Sequence, residues 1–388
     1  MSNRMAKMDI GLFTALLIML GFGIIFVYSS SFALAQYRFG GSDFFLSRQT
    51  IRAVVAIISF MVFINVDYHL WGRLSNLIYV IAVGMLVFVL FLPDSHAVNG
   101  AKRWISLGPV SFQVSDVARM AIILLLARSC EKAGAEIREW SVLLTNLLKI
   151  GLVCILILLE PNFSTCMILA LTGLAILFLS GAKFLHLASL FLAVVPVAAF
   201  LVLKTPYRRA RLTGFLQMSD NTSSLGYQTY QSLIGLGNGG IFGVGIGKGE
   251  QKFFYLPEPH TDFAISIMGE EIGFLGLMII MALFAFIVYR GMRIALRAPD
   301  RMGQLMAFGF SFVIASYVIV HACVGTGLIP TTGVPLPFLS YGGMSLIFMM
   351  SSMGILLNIS SQSRFDTMQP RFRPVLPVSN NTDVKRKA

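Results

Sequence analysis

The chain has 388 residues, of which 56% are hydrophobic and 12% are charged, and its mean hydropathy is +0.78. These values exclude an ordinary soluble globular domain and predict a protein that crosses a membrane many times. A net charge of +12 would point to nucleic acid in a soluble protein. A membrane explains it better here, so we expect no nucleic-acid partner.

Ten apolar runs predict helices that cross the roughly 30 Å hydrocarbon core of a bilayer. The second run is short and the fourth contains charges. The approximate cores are residues 10 to 35, 52 to 66, 76 to 92, 110 to 129, 143 to 160, 163 to 181, 184 to 203, 263 to 289, 305 to 327 and 340 to 359. We therefore expect an all-α polytopic membrane protein, with a single membrane domain over residues 1–363. A long external loop is expected over 204–261, between helices 7 and 8, and a disordered basic cytoplasmic tail over 364–388.

The basic residues predict which side of the membrane each segment faces. An even number of spans puts both termini on one side, and the positive-inside rule makes that side cytoplasmic. The basic residues on it are Arg4, Lys7, Arg128, Lys132, Arg138, Arg290, Arg293, Arg297, Arg301 and those of the tail. Residues 36–50, 93–109, 204–261 and 328–339 are then external. The expected location is the cytoplasmic (inner) membrane, with both termini in the cytoplasm.

Two stretches near the middle of the chain carry unusual charges. Lys102 and Arg103 precede Trp104, which places two cations beside a ring that prefers the membrane interface and suits an anionic lipid head group. The alternative is an interfacial anchor with ordinary flanking charges. In the fourth run, Asp116 and Arg119 are three residues apart and can pair on one helix face. The pair is either a structural clasp or faces the same cavity as Asp262.

The segment from Lys204 to Thr261 contains two further patterns. Arg208, Arg209 and Arg211 lie within four positions, and guanidinium groups suit a diphosphate because they bind oxygens in pairs. The alternative is simple attraction to anionic lipid. The glycine-rich run, residues 235–249, is not a Walker A motif, because Lys248 is followed by glycine. It predicts a re-entrant or tightly turned segment at the membrane surface.

Acidic residues mark the stretch from Phe253 to Gly273. Two prolines flank Glu258 and keep the first part extended, and Asp262 follows at the start of an apolar helix that also carries Glu270 and Glu271. Carboxylates are costly in a membrane and point to a functional site. The alternative for Asp262 is a helix cap, which would explain one acid and not three.

The last irregular stretch is the proline-rich segment, residues 325–343. Its three prolines and several glycines predict a non-helical connection at membrane depth, which is tolerated only where it is buried in protein or lines a cavity. Ser340 and Tyr341 would offer hydroxyl groups to that cavity.

These stretches resemble the SEDS family of bacterial cell-wall proteins, which includes FtsW, RodA and SpoVE. The matching segments are NGAKRWISLGPVSFQ, YRRARLTGFL, GYQTYQSLIGLGNGGIFGVGIG, FFYLPEPHTDF with GEEIG, and TGLIPTTGVPLPFLSYGG. They lie along nearly the whole chain. The histidine of PEPHTD and the stretch YRRARLT are more similar to FtsW than to RodA.

The resemblance implies a peptidoglycan glycosyltransferase that polymerises lipid II on the outer face of the cytoplasmic membrane during cell division, with inversion at the anomeric carbon. Its catalytic aspartate falls on Asp262, which would act as general base. The substrate-binding candidates are Lys102, Arg103, Trp104, Asp116, Arg119, Arg208, Arg209, Arg211, Glu258, His260, Glu270, Ser340 and Tyr341. The implied partners are a class B penicillin-binding protein (a transpeptidase) and other division proteins at the septum.

No metal ligands are predicted, and a divalent cation (Mg²⁺ or Mn²⁺) at the diphosphate is left open. Two other readings also stay open. Buried charges and broken helices would equally serve a lipid II flippase or transporter. A non-catalytic scaffold of the division machinery is the third.

Overall fold

The computed structural model describes residues 8–93, 102–107, 110–216, 224–256, 261–342 and 344–363. Within these ranges the chain is almost entirely helical. The elements are α1 (Ile10–Phe39), α2 (Phe44–Asn65), α3 (Tyr68–Leu90), β1 (Trp104–Leu107), β2 (Val110–Gln113), α4 (Val114–Ala133), α5 (Trp140–Leu159), α6 (Phe163–Leu179), α7 (Phe184–Lys204), α8 (Pro206–Leu216), α9 (Ser224–Gly239), α10 (Ala264–Arg297), α11 (Arg301–Gly325) and α12 (Ser345–Gln362). A short 3-10 helix, Gly134–Arg138, joins α4 to α5.

The expected all-α membrane fold is confirmed. Each of the ten predicted runs coincides with one helix, namely α1 to α7 and α10 to α12. Among the described residues, seven helices are long and apolar enough to cross a membrane: α1, α2, α3, α5, α10, α11 and α12. The ten-span topology itself stays a prediction, because α4 carries charges and α6 has 17 residues.

Helix α4 lies at the centre of the bundle and packs against α3, α5, α6, α11 and α12. Its position explains why charges are tolerated in it, since Asp116 and Arg119 face protein and not lipid. Helix α12 packs along α2, and α10 packs along α1, α9 and α11. Together these contacts bury one apolar cluster that runs through the bundle.

The segment 204–261, expected as a long external loop, contains α8 and α9 and so is not a simple coil, and its external position stays a prediction. Helix α9 buries a stripe of small residues, Gly226, Thr229, Ser232, Gly235 and Gly239, at helical spacing. A Cβ on Gly239 would collide with the carbonyl oxygen of Gly269, so glycine allows α9 and α10 to touch along their backbones. Small polar residues give little apolar signal, and this is why the sequence did not reveal the helix.

The two ends of the bundle have different character. One end carries the antiparallel β1–β2 hairpin, α8, α9 and the proline-rich segment, and we call it the hairpin end. The other, the basic end, carries the start of α1, the α2–α3 and α10–α11 turns and the end of α12. At the basic end, the Tyr68 hydroxyl donates to Asp300 at 2.9 Å and the backbone N–H of Tyr68 donates to Asn358 at 2.9 Å. The predicted basic tail, 364–388, lies outside the described residues.

The orientation of the two ends can be tested by cysteine labelling. With the four native cysteines replaced, Asp43→Cys reports on the hairpin end and Arg138→Cys on the basic end, and both positions are exposed. We expect an impermeant maleimide added to intact spheroplasts to label only Asp43→Cys, since the basic end is predicted to face the cytoplasm. Labelling of both positions before lysis would contradict the topology.

Candidate functional site

The helical hydrogen bonding of α10 is interrupted at Gly273. The glycine-rich run supplies acceptors for the backbone N–H groups that lose their partners there. Gly273 has φ 67° and ψ −174°, a left-handed conformation that favours glycine. The backbone N–H groups of Phe274 and Leu275 lose their helical partners and donate to the carbonyls of Gly240 and Ile241 at 2.9 and 3.1 Å. Irregular backbone at membrane depth needs such internal partners. The predicted tight turns are therefore present, and they pack against α10.

Glu270 binds this same segment through its side chain. Its carboxylate accepts hydrogen bonds from the backbone N–H groups of Glu250 and Gln251 at 3.0 and 3.1 Å, and its side chain is buried. A Cβ on Gly249 would press against that carboxylate. These contacts join α10 to the backbone of residues 250 and 251. They are structural contacts, and the substrate-binding role expected for Glu270 stays a prediction.

Glu271 forms a buried ion pair that the sequence did not reveal. The Lys252 ammonium lies 2.5 Å from its carboxylate, and both side chains are fully buried. Ser29 on α1 donates to the same carboxylate at 2.6 Å, and the ring of Phe32 lies 4.9 Å from the ammonium. This cluster ties together α1, α10 and residues 240–252, which we call the turn segment. A lysine between polar and aromatic residues has no periodic signature that would have predicted its partner.

Asp262 lies just before α10, beside the proline-rich segment. A Cβ built on Gly333 would be 3.7 Å from its Oδ2 atom, so the carboxylate faces the backbone of that segment. The N-cap of α10 is Phe263, one residue later, and its side chain makes no capping hydrogen bond. Asp262 therefore lies one residue before the assigned N-cap position of α10.

Ser340 positions the backbone next to Asp262. Its hydroxyl donates to the carbonyl of Thr261 at 2.9 Å and accepts from the N–H of Leu336 at 2.9 Å. On the other side of Asp262, Phe263 and Leu256 are buried in one small apolar cluster. Tyr341 points elsewhere, since its ring packs on Phe45 at 5.1 Å between centroids. A shared cavity for the two hydroxyl groups stays a prediction.

Two arginines of α8 contact the elements around Asp262. Arg211 on α8 donates to the carbonyl of Thr331 at 2.9 Å, two residues from Gly333. Arg208 lies over the ring of Phe163, 5.2 Å from its centroid, at the start of α6. The next residue, Ser164, donates to the carbonyl of Thr332 at 3.1 Å. Asp262 and Arg211 therefore both lie next to one short stretch, residues 331–333, and Ser164 beside Phe163 contacts it as well.

The α5–α6 turn adds an acid. Arg103, before β1, donates to the carbonyls of Glu160 and Pro161 at 2.9 and 2.7 Å. Glu160 is fully buried, and among the described residues its carboxyl oxygens have no hydrogen-bond partner. A buried acid of this kind is costly at the edge of a membrane and points to a functional role.

The other residues predicted to bind substrate lie in several parts of the chain. Lys102 precedes β1, Trp104 opens it opposite Gln113, and Arg209 is exposed on α8. Glu258 and His260 lie outside the described residues. In the described part of the chain, no three His, Cys, Asp or Glu side chains are placed to hold a metal ion. A divalent cation at the diphosphate stays a hypothesis, and substrate oxygens would supply much of its coordination.

The predicted pair in α4 is present. The Arg119 guanidinium lies 3.0 Å from Asp116, both side chains are buried, and Arg119 also donates to the Tyr317 hydroxyl on α11. The pair borders a small recess between α4, α11 and α12, and Asp262 is not among its lining residues. These contacts favour the structural clasp over a position in the same cavity as Asp262.

Comparison with known proteins identifies the family. Residues 10–365 match the model of the FtsW/RodA/SpoVE family, described as "Cell cycle protein". The chain belongs to this family. Stage V sporulation protein E of Bacillus subtilis (strain 168) is 39% identical over 368 residues, which cover 94% of this chain and all of that protein. The resemblance drawn from the sequence motifs is thereby confirmed.

Other family members agree in length and fold. A protein of Geobacter sp. (strain M18) named "Probable peptidoglycan glycosyltransferase FtsW" is 37% identical over 345 residues, 88% of this chain and 94% of that protein. The crystal structure of the rod shape determining protein RodA of Thermus thermophilus superposes with a TM-score of 0.70 at 24% identity, over 92% of this chain and 98% of RodA, and shows the fold. The names of the FtsW relatives confirm the expected enzyme class.

A solved structure described as "Structural coordination of polymerization and crosslinking by a peptidoglycan synthase complex" contains a similar chain. Its TM-score is 0.75 at 26% identity, and the match covers 91% of this chain and 97% of that one. In that structure a member of this fold is therefore part of a larger assembly.

The α4 pair can be tested by removing one charge. Arg119→Ala leaves Asp116 buried and unpaired, so we expect it to lower the free energy of unfolding by about 3–5 kcal/mol. Arg119→Lys keeps the charge and should cost clearly less. Thermal unfolding of the purified chain in detergent measures both. A fully stable Arg119→Ala variant would show that the pair does not act as a clasp.

Proposed function

We propose that this chain is a peptidoglycan glycosyltransferase that polymerises lipid II, with Asp262 as its general base. The observation that carries the proposal is the position of Asp262. Its carboxylate faces Gly333, and the guanidinium of Arg211 binds the backbone two residues away. Membership of a family with relatives named as peptidoglycan glycosyltransferases supports the reaction type.

The proposed reaction needs a base and cations on opposite sides of the anomeric carbon. Asp262 takes the proton of the attacking sugar hydroxyl as the new glycosidic bond forms. The bond from the anomeric carbon to the polyprenyl diphosphate breaks at the same time, and the diphosphate leaves with the electron pair. One displacement of this kind inverts the anomeric configuration. The sugar hydroxyl is the nucleophile and Asp262 only removes its proton, so no covalent enzyme intermediate forms.

The departing diphosphate would be stabilised by arginines. Arg208 and Arg211 project from α8 toward α6 and the proline-rich segment, and Arg103 reaches the α5–α6 turn from the hairpin. Guanidinium groups held by backbone carbonyls keep a fixed direction, and preorganised charge of this kind lowers the barrier where negative charge develops. Lys102 and Trp104 would contact the lipid-linked diphosphate at the membrane interface.

The proposed setting is the outer face of the cytoplasmic membrane, with both termini in the cytoplasm. A class B penicillin-binding protein is the proposed partner, and similarity to a chain of a peptidoglycan synthase complex supports it. Action at the division septum with other division proteins is proposed from the FtsW relatives.

A lipid II flippase is the second candidate, because α10 is broken at Gly273 and buried ion pairs cross between segments. Purified chain with its partner and labelled lipid II separates the possibilities. Glycan polymer supports the enzyme, leaflet exchange alone supports the flippase, and neither product supports a scaffold.

The base hypothesis predicts a specific failure of Asp262→Asn. Asparagine keeps the size of the side chain but cannot accept the hydroxyl proton, so we expect polymerisation to fall by at least about two orders of magnitude. Asp262→Glu should also lose most activity, because an added methylene displaces the carboxylate. Polymer yield from purified complexes at matched protein concentration is the measurement.

Asp43→Asn is the matched control, since Asp43 is exposed at the hairpin end and its side chain makes no capping bond to α2. It should polymerise like the unchanged chain. Near-normal polymerisation by Asp262→Asn would exclude Asp262 as the base and direct attention to Glu258.

A further inference from the structure

A basic recess at the opposite end of the molecule is not used by the proposed reaction. It lies where the last turns of α10 meet the start of α1 and the end of α12, and it is shallow and open to the surface. Its lining residues are Asp9, Arg290, Arg293, Ile294, Arg297 and Ser363. Among these described residues three guanidinium groups meet one carboxylate, so the lining is strongly basic.

One arginine of the recess is fixed by the fold. Arg290 contacts the Asp9 carboxylate through Nε, at 2.8 Å to Oδ2, and through Nη2, at 2.6 Å to Oδ1. Asp9 also caps α1, since it accepts from the N–H of Leu12 at 2.9 Å, and its own N–H donates to Ser360 at 3.2 Å. Three helix ends are thus joined at one point, and the recess wall is rigid.

Arg293 and Arg297 extend the basic wall along the same helix face. Residues three and four apart on a helix are neighbours, so these guanidinium groups are spaced along the recess by one turn. Arg293 lies 5.9 Å from the ring centroid of Tyr289, which holds it against the helix. Guanidinium groups in such a row match the oxygens of a phosphodiester.

The recess lies at the depth of lipid head groups. The part of α10 beyond the break, residues 274–297, is 24 residues long and spans about 36 Å at 1.5 Å per residue. A hydrocarbon core is roughly 30 Å thick, so the last turn projects into the head-group layer. Tyr289 is exposed where an interfacial aromatic residue is expected.

Apolar surface adjoins the recess on the membrane side. Phe286 and Leu296 on α10 are 39% and 67% exposed, and Ile10 on α1 is 61% exposed. Acyl chains would lie along this surface with the head-group phosphate against the arginines at the mouth of the recess. A free phosphate ion would leave this surface without a partner. The chain after Ser363 is itself basic, with six Lys or Arg and two Asp residues over 364–388, so it would favour the same anionic partner.

We propose that Arg290, Arg293 and Arg297 form a binding site for the phosphodiester head group of an anionic phospholipid. The site is separate from the proposed polymerisation site and does not depend on it. Arg290 sets the geometry through Asp9, and Arg293 and Arg297 bind the head group. The bound lipid would join the ends of α1, α10 and α12 in the membrane that surrounds the protein.

The site can be tested by native mass spectrometry of the full chain purified from membranes and supplied with phosphatidylglycerol or phosphatidylcholine. We expect retained phosphatidylglycerol, and little retained phosphatidylcholine. The double variant Arg293→Gln/Arg297→Gln should retain at least about fivefold less phosphatidylglycerol, since each arginine near an anionic surface contributes about that factor. Arg290 is left unchanged because its loss would leave Asp9 without its partner.

The control is Arg73→Gln/Arg138→Gln, which removes two exposed arginines from the same end of the bundle. It should retain phosphatidylglycerol like the unchanged chain. Arg293→Lys/Arg297→Lys should bind with intermediate strength, because the charge remains and the paired donors are lost. This variant keeps the test valid if the glutamine variant folds poorly.

Three results would overturn the proposal. If the control variant lost as much phosphatidylglycerol, the lipid would be held by general attraction to the basic surface. Equal retention of phosphatidylcholine would mean that the anionic charge is not recognised. Complete displacement of phosphatidylglycerol by excess inorganic phosphate would identify a free-phosphate site.

Discussion

The hydrogen bonds and ion pair that hold the turn segment to α10 are the interaction on which the hairpin end depends. Glu270 binds the backbone of Glu250 and Gln251, and Glu271 binds Lys252. In return, carbonyls of Gly240 and Ile241 satisfy the N–H groups released at Gly273. Backbone groups without partners are costly at membrane depth, so the break in α10 and the turn segment stabilise each other. The stretch that leads to Asp262 begins directly after this junction.

The same constraint explains where the other buried charges lie. Asp116 pairs with Arg119, which also donates to Tyr317, at the centre of the bundle, and Asp9 pairs with Arg290 at the basic end. In each case an acid meets a basic group, and the contacts join different helices. Removing one partner leaves a charge in a medium of low polarity, which is far more costly than the pair itself. Ion pairs in this protein therefore determine helix positions more than they add stability.

The sequence was most informative where hydropathy is continuous. Runs of apolar residues predicted the helices, and the stretches around Asp262 and the proline-rich segment predicted a site that the structure brings together through Gly333 and Ser340. The sequence was least informative for α9, because the buried residues of this helix are small or polar. It also did not predict the break at Gly273, because one glycine in a long apolar run gives no distinct signal.

Contacts between side chains that are far apart in the sequence could not be predicted either. Lys252 and Ser29 are more than two hundred residues apart, and their common partner Glu271 is adjacent to an acid with a different role. Spacing rules act within one helix, so they found the Asp116–Arg119 pair and missed this cluster. Glu270 was correctly singled out as unusual, but its described contacts are with backbone N–H groups of the turn segment.

The central claim is that the turn segment must be held to α10 for Asp262 to be productive. A double-mutant cycle on Lys252→Ala and Glu271→Ala, read as the polymerisation rate of the purified complex, tests it most directly. We expect each single variant to lose at least about tenfold in rate and the double variant to lose little more, a coupling of at least about 1.4 kcal/mol. Losses that simply multiply in the double variant would contradict the account, because they would show that the two side chains act independently.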